Sequence, residues 1–458
     1  MKTNIGNCVR LFGTILLGLL VAILVTGCGK TSQSVSGQVT AGGAVLAGVT
    51  ITFSGPAVYT VTTDTNGNYS IGDVEEGTYT LTPSLTGYSF FPSSRAIYSY
   101  GMDATGENFY GTGMGRLAMS IHTLYAKLDD TLWAWGKNGS GQLGDGTTTD
   151  NATPLQVAAW TSVKSVSAGY DHTVMLKSDG TVWASGSNSN GQLGNGTTTD
   201  STTPIQVSGL TGMTAVAAGY KYSLALKSDG TVWAWGNNNN GQLGNGTTTD
   251  SASPVQVSSL TSITAIAAGY DHAVARMSNG TGWAWGNNSN GQLGNGTITD
   301  STTAVQVSSL TTATTVAAGH LFSLALRSNG TVVAWGYNTD GELGNGSTTD
   351  STTIVQVSSL TSITAIAAGY DHAVSMKSDG TVWIWGDNSN GQLGNGTTTG
   401  STTPIQVSEL TGVLAIAAGQ DDSVAVKMDN TLWAWGSNSN GQLGDGTTTD
   451  RCTPVQAL

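Results

Sequence analysis

Every histidine of the chain lies in one of seven tripeptides spaced 50 residues apart. They read Ser120-Ile121-His122, Tyr170-Asp171-His172, Tyr220-Lys221-Tyr222, Tyr270-Asp271-His272, His320-Leu321-Phe322, Tyr370-Asp371-His372 and Gln420-Asp421-Asp422. Imidazole beside carboxylate is the raw material of general acid–base chemistry. Asp171 with His172 is the nearest such pair, yet neighbours at the end of a strand point apart, which separates acid from base. The chain has no Gly-x-Ser-x-Gly elbow, no phosphate-cradling loop, no His-x-x-Glu pair and no ligand cluster at zinc spacing. Neither catalysis nor a cofactor nor a metal site is expected. What the tripeptides offer is a binding face of Tyr170, Asp171, His172, Tyr220, Lys221, Tyr222, Tyr270, Asp271, His272, His320, Phe322, Tyr370, Asp371, His372, Asp421 and Asp422. For His172, His272 and His372 the rival role is structural, because imidazole readily satisfies backbone groups and can brace a turn.

The elements that must position these residues repeat with them. A Trp-x-Trp-Gly pattern, or a close variant, starts at 133, 183, 233, 283, 333, 383 and 433, so seven copies follow one another without an insertion. One copy predicts four strands, at 263–268, 272–277, 282–286 and 303–307, with Ser278-Asn279-Gly280 as a tight turn and the polar stretch 287–302 as a long loop. Four antiparallel strands make a propeller blade. The tripeptide turn and the long loop then lie at the same end of each blade and pave one face of the disc around its central channel. Positions constant across the copies serve the blade: Trp233 and Trp235, two apart in a strand, face one side and pack on the neighbouring blade. The string "NSNGQLGNGTTTD" at 188–200 reads as a repeated turn, because its glycines permit positive φ. A calcium reading of the same oxygens finds a single carboxylate, Asp200, after a run of neutral side chains, which neutralises a divalent ion poorly. The tripeptides vary between copies, so the blade does not dictate them.

The period admits several kinds of blade. The Gly-Gly doublet of a kelch blade occurs only at Gly42-Gly43, outside the array, and no Trp-Asp pair occurs. Instead A-G-Y-D-H followed by S-D-G-T-V-W-x-W-G-x-N-x-x-G-Q-L-G-x-G resembles the regulator of chromosome condensation repeat family, over residues 117–458. The resemblance implies a seven-bladed propeller. Blade one is the weak copy, since "GRLAMSIHTL" has Met119 where its siblings have glycine. The closing "TPVQAL" supplies the fourth strand of blade seven, so the ring is expected to close between residues near 115 and near 455.

Residues 35–111 have a different texture. "VSGQVTAGGAVLAGVTITFSG" and "TTDTNGNYSIGDVEEGTYTLTPSLTGYSFFP" alternate polar and apolar residues, with Asn66-Gly67 as a hairpin turn, and predict a sandwich of about seven short strands. These runs, with "DATGENFYG", resemble the carboxypeptidase regulatory-like family of prealbumin-type sandwiches, which implies a spacer or adhesive stalk without peptidase chemistry. The fold class expected for the chain is all-β: a seven-bladed β-propeller at 113–458 behind an N-terminal β-sandwich.

The first 27 residues carry Lys2 and Arg10, an apolar run at 11–25 and small residues before Cys28, the pattern of a removable leader. Val25-Thr26-Gly27-Cys28 looks like the lipobox of bacterial lipoproteins, which implies a lipidated Cys28, a linker over 28–34 and attachment to the membrane through the anchor alone. Gly29 stands where the inner-membrane retention signal has Asp, which favours the outer membrane. Losing Lys2 and Arg10 takes the net charge from −13 to −13 − 2 = −15, which argues against nucleic acid as a partner. Cys8 leaves with the leader and Cys28 is taken by lipid, so Cys452 has no partner for a disulfide.

The function expected is a monomeric cell-envelope lipoprotein whose propeller holds a protein or a surface glycan. The second expectation follows from the resemblance alone: guanine-nucleotide exchange on a small GTPase, which in the family depends on an inserted wedge and a basic tail that this array lacks. A hydrolase or lyase on the propeller face is the third.

Overall fold

The computed structural model describes residues 33–41, 44–85, 88–92, 94–99, 103–113, 117–127 and 131–457. The leader and Cys28 lie outside the described residues. Among these, every regular element is a β-strand.

The N-terminal unit is a sandwich of nine strands rather than about seven, the surplus including the two-residue Ala44–Val45. One sheet is built on Gln33–Ala41, which pairs antiparallel with Asn68–Val74 and parallel with Phe109–Gly113. The facing sheet runs in the order Val58–Thr62, Thr50–Ser54, Gly77–Ser84, Arg95–Ser99. Strict alternation in Gly77–Ser84 turns Tyr79 and Leu81 inward onto Val39, Ile51, Phe53 and Phe109, all fully buried, and the intervening threonines outward.

The propeller consists of seven four-stranded antiparallel sheets, each made from one continuous segment. The fourth blade comprises Ile263–Ala268, His272–Met277, Gly282–Gly286 and Ser301–Gln306, so its last strand starts two residues before the sequence suggests. Polar Ser301 and Thr302 extend this outer strand, none of whose residues is fully buried. Gly286 ends the third strand in a bulge at φ 100°, where a Cβ would lie 2.5 Å from the carbonyl oxygen of Asp271, so only glycine lets the chain pass under the tripeptide turn.

Blades are joined by their tryptophans. Trp235 is fully buried in a cluster of second-blade residues including Val174, Leu176, Leu193 and Val207, and its indole N–H donates to the Gln192 carbonyl at 2.8 Å. The same bond recurs from Trp285, Trp335, Trp385 and Trp435 to Gln242, Gln292, Glu342 and Gln392. Blade two has Ser185 at this position, and Trp160 stands in, donating to Leu143 O at 3.3 Å and covering Gly144 as Trp235 covers Gly194. Arg451–Gln456 completes blade seven, and closure is a contact between whole blades without strand exchange. There Thr123 Oγ1 and Trp135 Nε1 both donate to Gln442 O, at 2.7 and 2.9 Å, over a core of Met119, Trp135, Val424 and Leu432.

Candidate functional site

The long loop after each third strand is folded around one buried amide. Asn238 is fully buried; its Oδ1 accepts Leu243 N–H at 2.9 Å, its Nδ2 donates to the carbonyls of Thr247 and Thr249, and Asp250 accepts its backbone N–H at 2.8 Å. The loop satisfies itself, which is why the string recurs almost unchanged. It also fixes a glutamine two residues beyond its tip, and Gln242 Nε2 reaches across to Asp271 Oδ1 of the next blade at 3.1 Å. Loop and tripeptide turn therefore share one end of the disc.

At that end the first residues of the tripeptides converge on the channel mouth. Tyr170 and Tyr220 have ring centroids 4.7 Å apart, Tyr220 and Tyr270 stack at 3.9 Å, His320 and Tyr370 stack at 3.6 Å, and Tyr270 meets both of the latter edge-on. Five rings from five blades thus form one half-buried cluster over a cavity of about 100 Å³ lined by the Ala-Gly ends of the inner strands. Backbone bonds fix the spacing: Tyr220 N–H to Tyr270 O at 3.2 Å, His320 N–H to Tyr370 O at 3.0 Å, Tyr370 N–H to Gly419 O at 3.1 Å. The cluster is open at blades seven and one, where Gln420 and Ser120 stand.

The second tripeptide positions form an outer ring, half-exposed at Asp171, Lys221, Asp271, Asp371 and Asp421. Lys137 pairs with Asp171 at 3.1 Å and lies over the Tyr170 ring, while Lys221 lies over Tyr220. Burial lifts the Asp271 carboxyl above the usual range against the pull of His320 and Lys221. Burial, with Asp371 and Asp387 nearby, pushes Asp421 up to about 6. His320 Nδ1 lies 3.4 Å from Asp371 Oδ1.

The third positions correct the expected face. His172, Tyr222, His272, Phe322, His372 and Asp422 are fully buried and offer nothing to a partner. Each opens the second strand of its blade, where alternation turns the side chain between blades. His172 Nε2 lies 3.0 Å from Ser223 Oγ, and the same contact joins His122 to Thr173 and His372 to Ser423, each at 2.9 Å. Tyr222 bonds instead to the carbonyl of His272. A signal for this was present at a separation of 51: histidine precedes a hydroxyl in the next blade, whereas Tyr222 and Phe322 precede Ala273 and Ala373. Asp171 and His172 do face apart, so the nearest acid–base pair is not assembled.

The geometry defines a class: a closed seven-bladed propeller with an aromatic cluster at one mouth of its channel. The chain belongs to the RCC1-like domain family, whose model matches residues 131–458, and a carboxypeptidase regulatory-like domain matches residues 34–94. None of the curated proteins matches the chain. Among solved structures, it is similar to yeast RCC1 (Prp20) bound to Kap60, with 22% identity, a TM-score of 0.65, and coverage of 74% of this chain and 85% of that one. Human WBSCR16 is similar at 22% identity and TM-score 0.66, covering 72% and 94%. Prp20p from Saccharomyces cerevisiae, described with its binding to Gsp1p and histones, is similar at 23% identity and TM-score 0.64, covering 73% and 87%. At these identities the likeness is one of fold.

Proposed function

We propose that this chain is a lipid-anchored protein of the cell envelope whose propeller holds another protein against the channel-mouth face, without catalysis. The observation that carries the reading is the cluster of Tyr170, Tyr220, Tyr270, His320 and Tyr370, aromatic side chains at positions the blade leaves free to vary. Half-buried aromatics held rigidly by a scaffold are what protein interfaces use as anchors, because little entropy is lost on docking. The yeast neighbour is recorded with Kap60 bound and for its binding to Gsp1p and histones, which supports a propeller as a protein-binding scaffold. Exchange on a GTPase is the weaker reading, since the array has no inserted segment between its 50-residue copies. The envelope address rests on the leader and Cys28, and Cys28→Ser should move the protein from the membrane to the soluble fraction. Cross-linking from the mature chain against envelope proteins, with a photoreactive residue at Tyr220, should yield one dominant adduct; adducts of equal yield from a photoreactive residue at Ser228, at the other end of the disc, would place binding elsewhere.

A further inference from the structure

Blades five and six depart from the repeat toward acid. Asp340 stands where the other copies have Ser140, Asn190, Asn240, Asn290, Asn390 and Asn440. Glu342 replaces a glutamine present in all six other copies, and Asp387 stands where Ser187, Asn237 and Asn287 stand. With Asp371 and Asp421 they gather on one side of the mouth. Asp340, itself exposed, has its carboxyl lifted by burial and by Asp387 and Asp371. The lysines of the face, Lys137 and Lys221, belong to blades one and three, and the cationisable group facing the acidic side is His320, on Asp371.

A second observation lies beneath the cluster. In blades one and three the glutamine amide donates to the next blade's aspartate, Gln142 to Asp171 at 3.3 Å and Gln242 to Asp271 at 3.1 Å. Glu342 keeps half of this arrangement, its Oε2 accepting the Asp340 N–H at 3.0 Å. Its other oxygen has no hydrogen-bond partner, although the residue is fully buried, and the Asp371 and Asp340 carboxylates are close enough to act on it. A buried, unpartnered acceptor beside further carboxylates calls for a proton or a nearby cation. Burial, then Asp371 and Asp340, pushes Glu342 up to about 8.

We propose that this acidic sector binds a guanidinium group, an arginine presented by the partner protein, and that it gives the face its specificity. The inference rests on the protein-binding reading above. Five N–H donors in a planar fork can span exposed Asp340 on blade five and half-exposed Asp371 and Asp387 on blade six, as a compact ammonium cannot, with buried Glu342 behind them out of contact. The stacked pair of His320 and Tyr370 adjoins the sector, with His320 Nδ1 at 3.4 Å from Asp371, and sets an aromatic border beside the carboxylates. Among the described residues no three His, Cys, Asp or Glu side chains converge as a metal ion needs, which favours an organic cation.

The test is calorimetric titration of the full chain with a hexa-arginine peptide at low salt. The variant D340N/E342Q/D387N installs residues that other blades already carry at those positions, so it should melt no lower than the parent. The control D179N/D229N/D379N removes three carboxyl groups from turns at the opposite end. Asparagine is accepted there, since Asn279 and Asn329 take the same bonds from Thr281 and Thr331. The parent and the control should bind equally, the first variant about tenfold more weakly, and hexalysine more weakly than hexa-arginine. Equal weakening in both variants would reduce the effect to net charge; no binding by the parent, or stoichiometric displacement of the peptide by calcium, would overturn the arginine site. Capture of a native partner through the tyrosines is read separately, so a negative peptide result removes this site and not the face.

Discussion

His272 in blade four and Ser323 in blade five are both fully buried and meet at 2.9 Å, Nε2 to Oγ. Ser323 donates its own proton to Gln292 O at 3.0 Å, so the imidazole carries hydrogen on Nε2. Ser323→Ala should therefore strand a buried N–H at a cost of about 1–3 kcal/mol. The double variant H272F/S323A reproduces the Phe322 and Ala373 pair that joins blades five and six, and should recover about 1 kcal/mol of that loss in a urea double-mutant cycle. Strict additivity would mean the pair does not couple the blades.

Acid should loosen the ring. Burial pushes His122 and His272 down to about 3 and His172 and His372 to about 4, from an ordinary 6.5. The unfolded chain takes up protons below 6.5 that the native chain refuses, so stability is full above that value and falls as the pH drops toward 4 and 3. Denaturation midpoints measured across that window should fall with acid, and less steeply for H272F/S323A. A flat profile would contradict the burial of the histidines.

Asp422 carries the opposite sign. Its carboxyl is fully buried at the junction of blades seven and one, and burial, with Asp421 beside it, raises its pKa well above 3.8 against an opposing pull from Gln442. A raised acid stabilises least where it must ionise: its contribution is intact below 3.8 and is lost as the pH rises through the folded value. Asp422→Asn should thus raise the melting temperature at neutral and alkaline pH and leave it unchanged in acid. A gain independent of pH would exclude ionisation as the cause.

Trp235→Ala removes a fully buried indole from between two blades and should cost about 3–5 kcal/mol. Trp235→Phe should cost about 1 kcal/mol, because the Gln192 carbonyl keeps its bond from Ser223 Oγ at 2.9 Å. Equal losses would mean that the hydrogen bond, not the packing, holds the junction.

The 50-residue period and the tryptophans made the blades legible in the sequence, since each copy must bury the same face against the next. Single turns were harder. Tyr220 and Tyr222 look alike in one tripeptide, yet a strand begins between them, and alternation sends one to the channel mouth and the other between blades. His172 and His320 divide in the same way. Trp160 could not be read as the substitute for the tryptophan missing at Ser185, because it comes from a different position of its repeat and meets that junction only in three dimensions. The acid of Glu342 is visible as a departure from glutamine, but its orphaned oxygen needs the neighbouring Asp371 to give it meaning.

The channel-mouth face is tested most directly by Y170S/Y220S, paired with D229N at the other end of the disc. Serine already occupies the equivalent position as Ser120, so the fold should tolerate the change and the melting temperature should stay within about 2 °C of the parent. With the partner identified by cross-linking, binding measured by surface-immobilised titration should vanish in Y170S/Y220S and match the parent in D229N. Parent-like binding by the tyrosine variant, with its melting curve intact, would contradict the account.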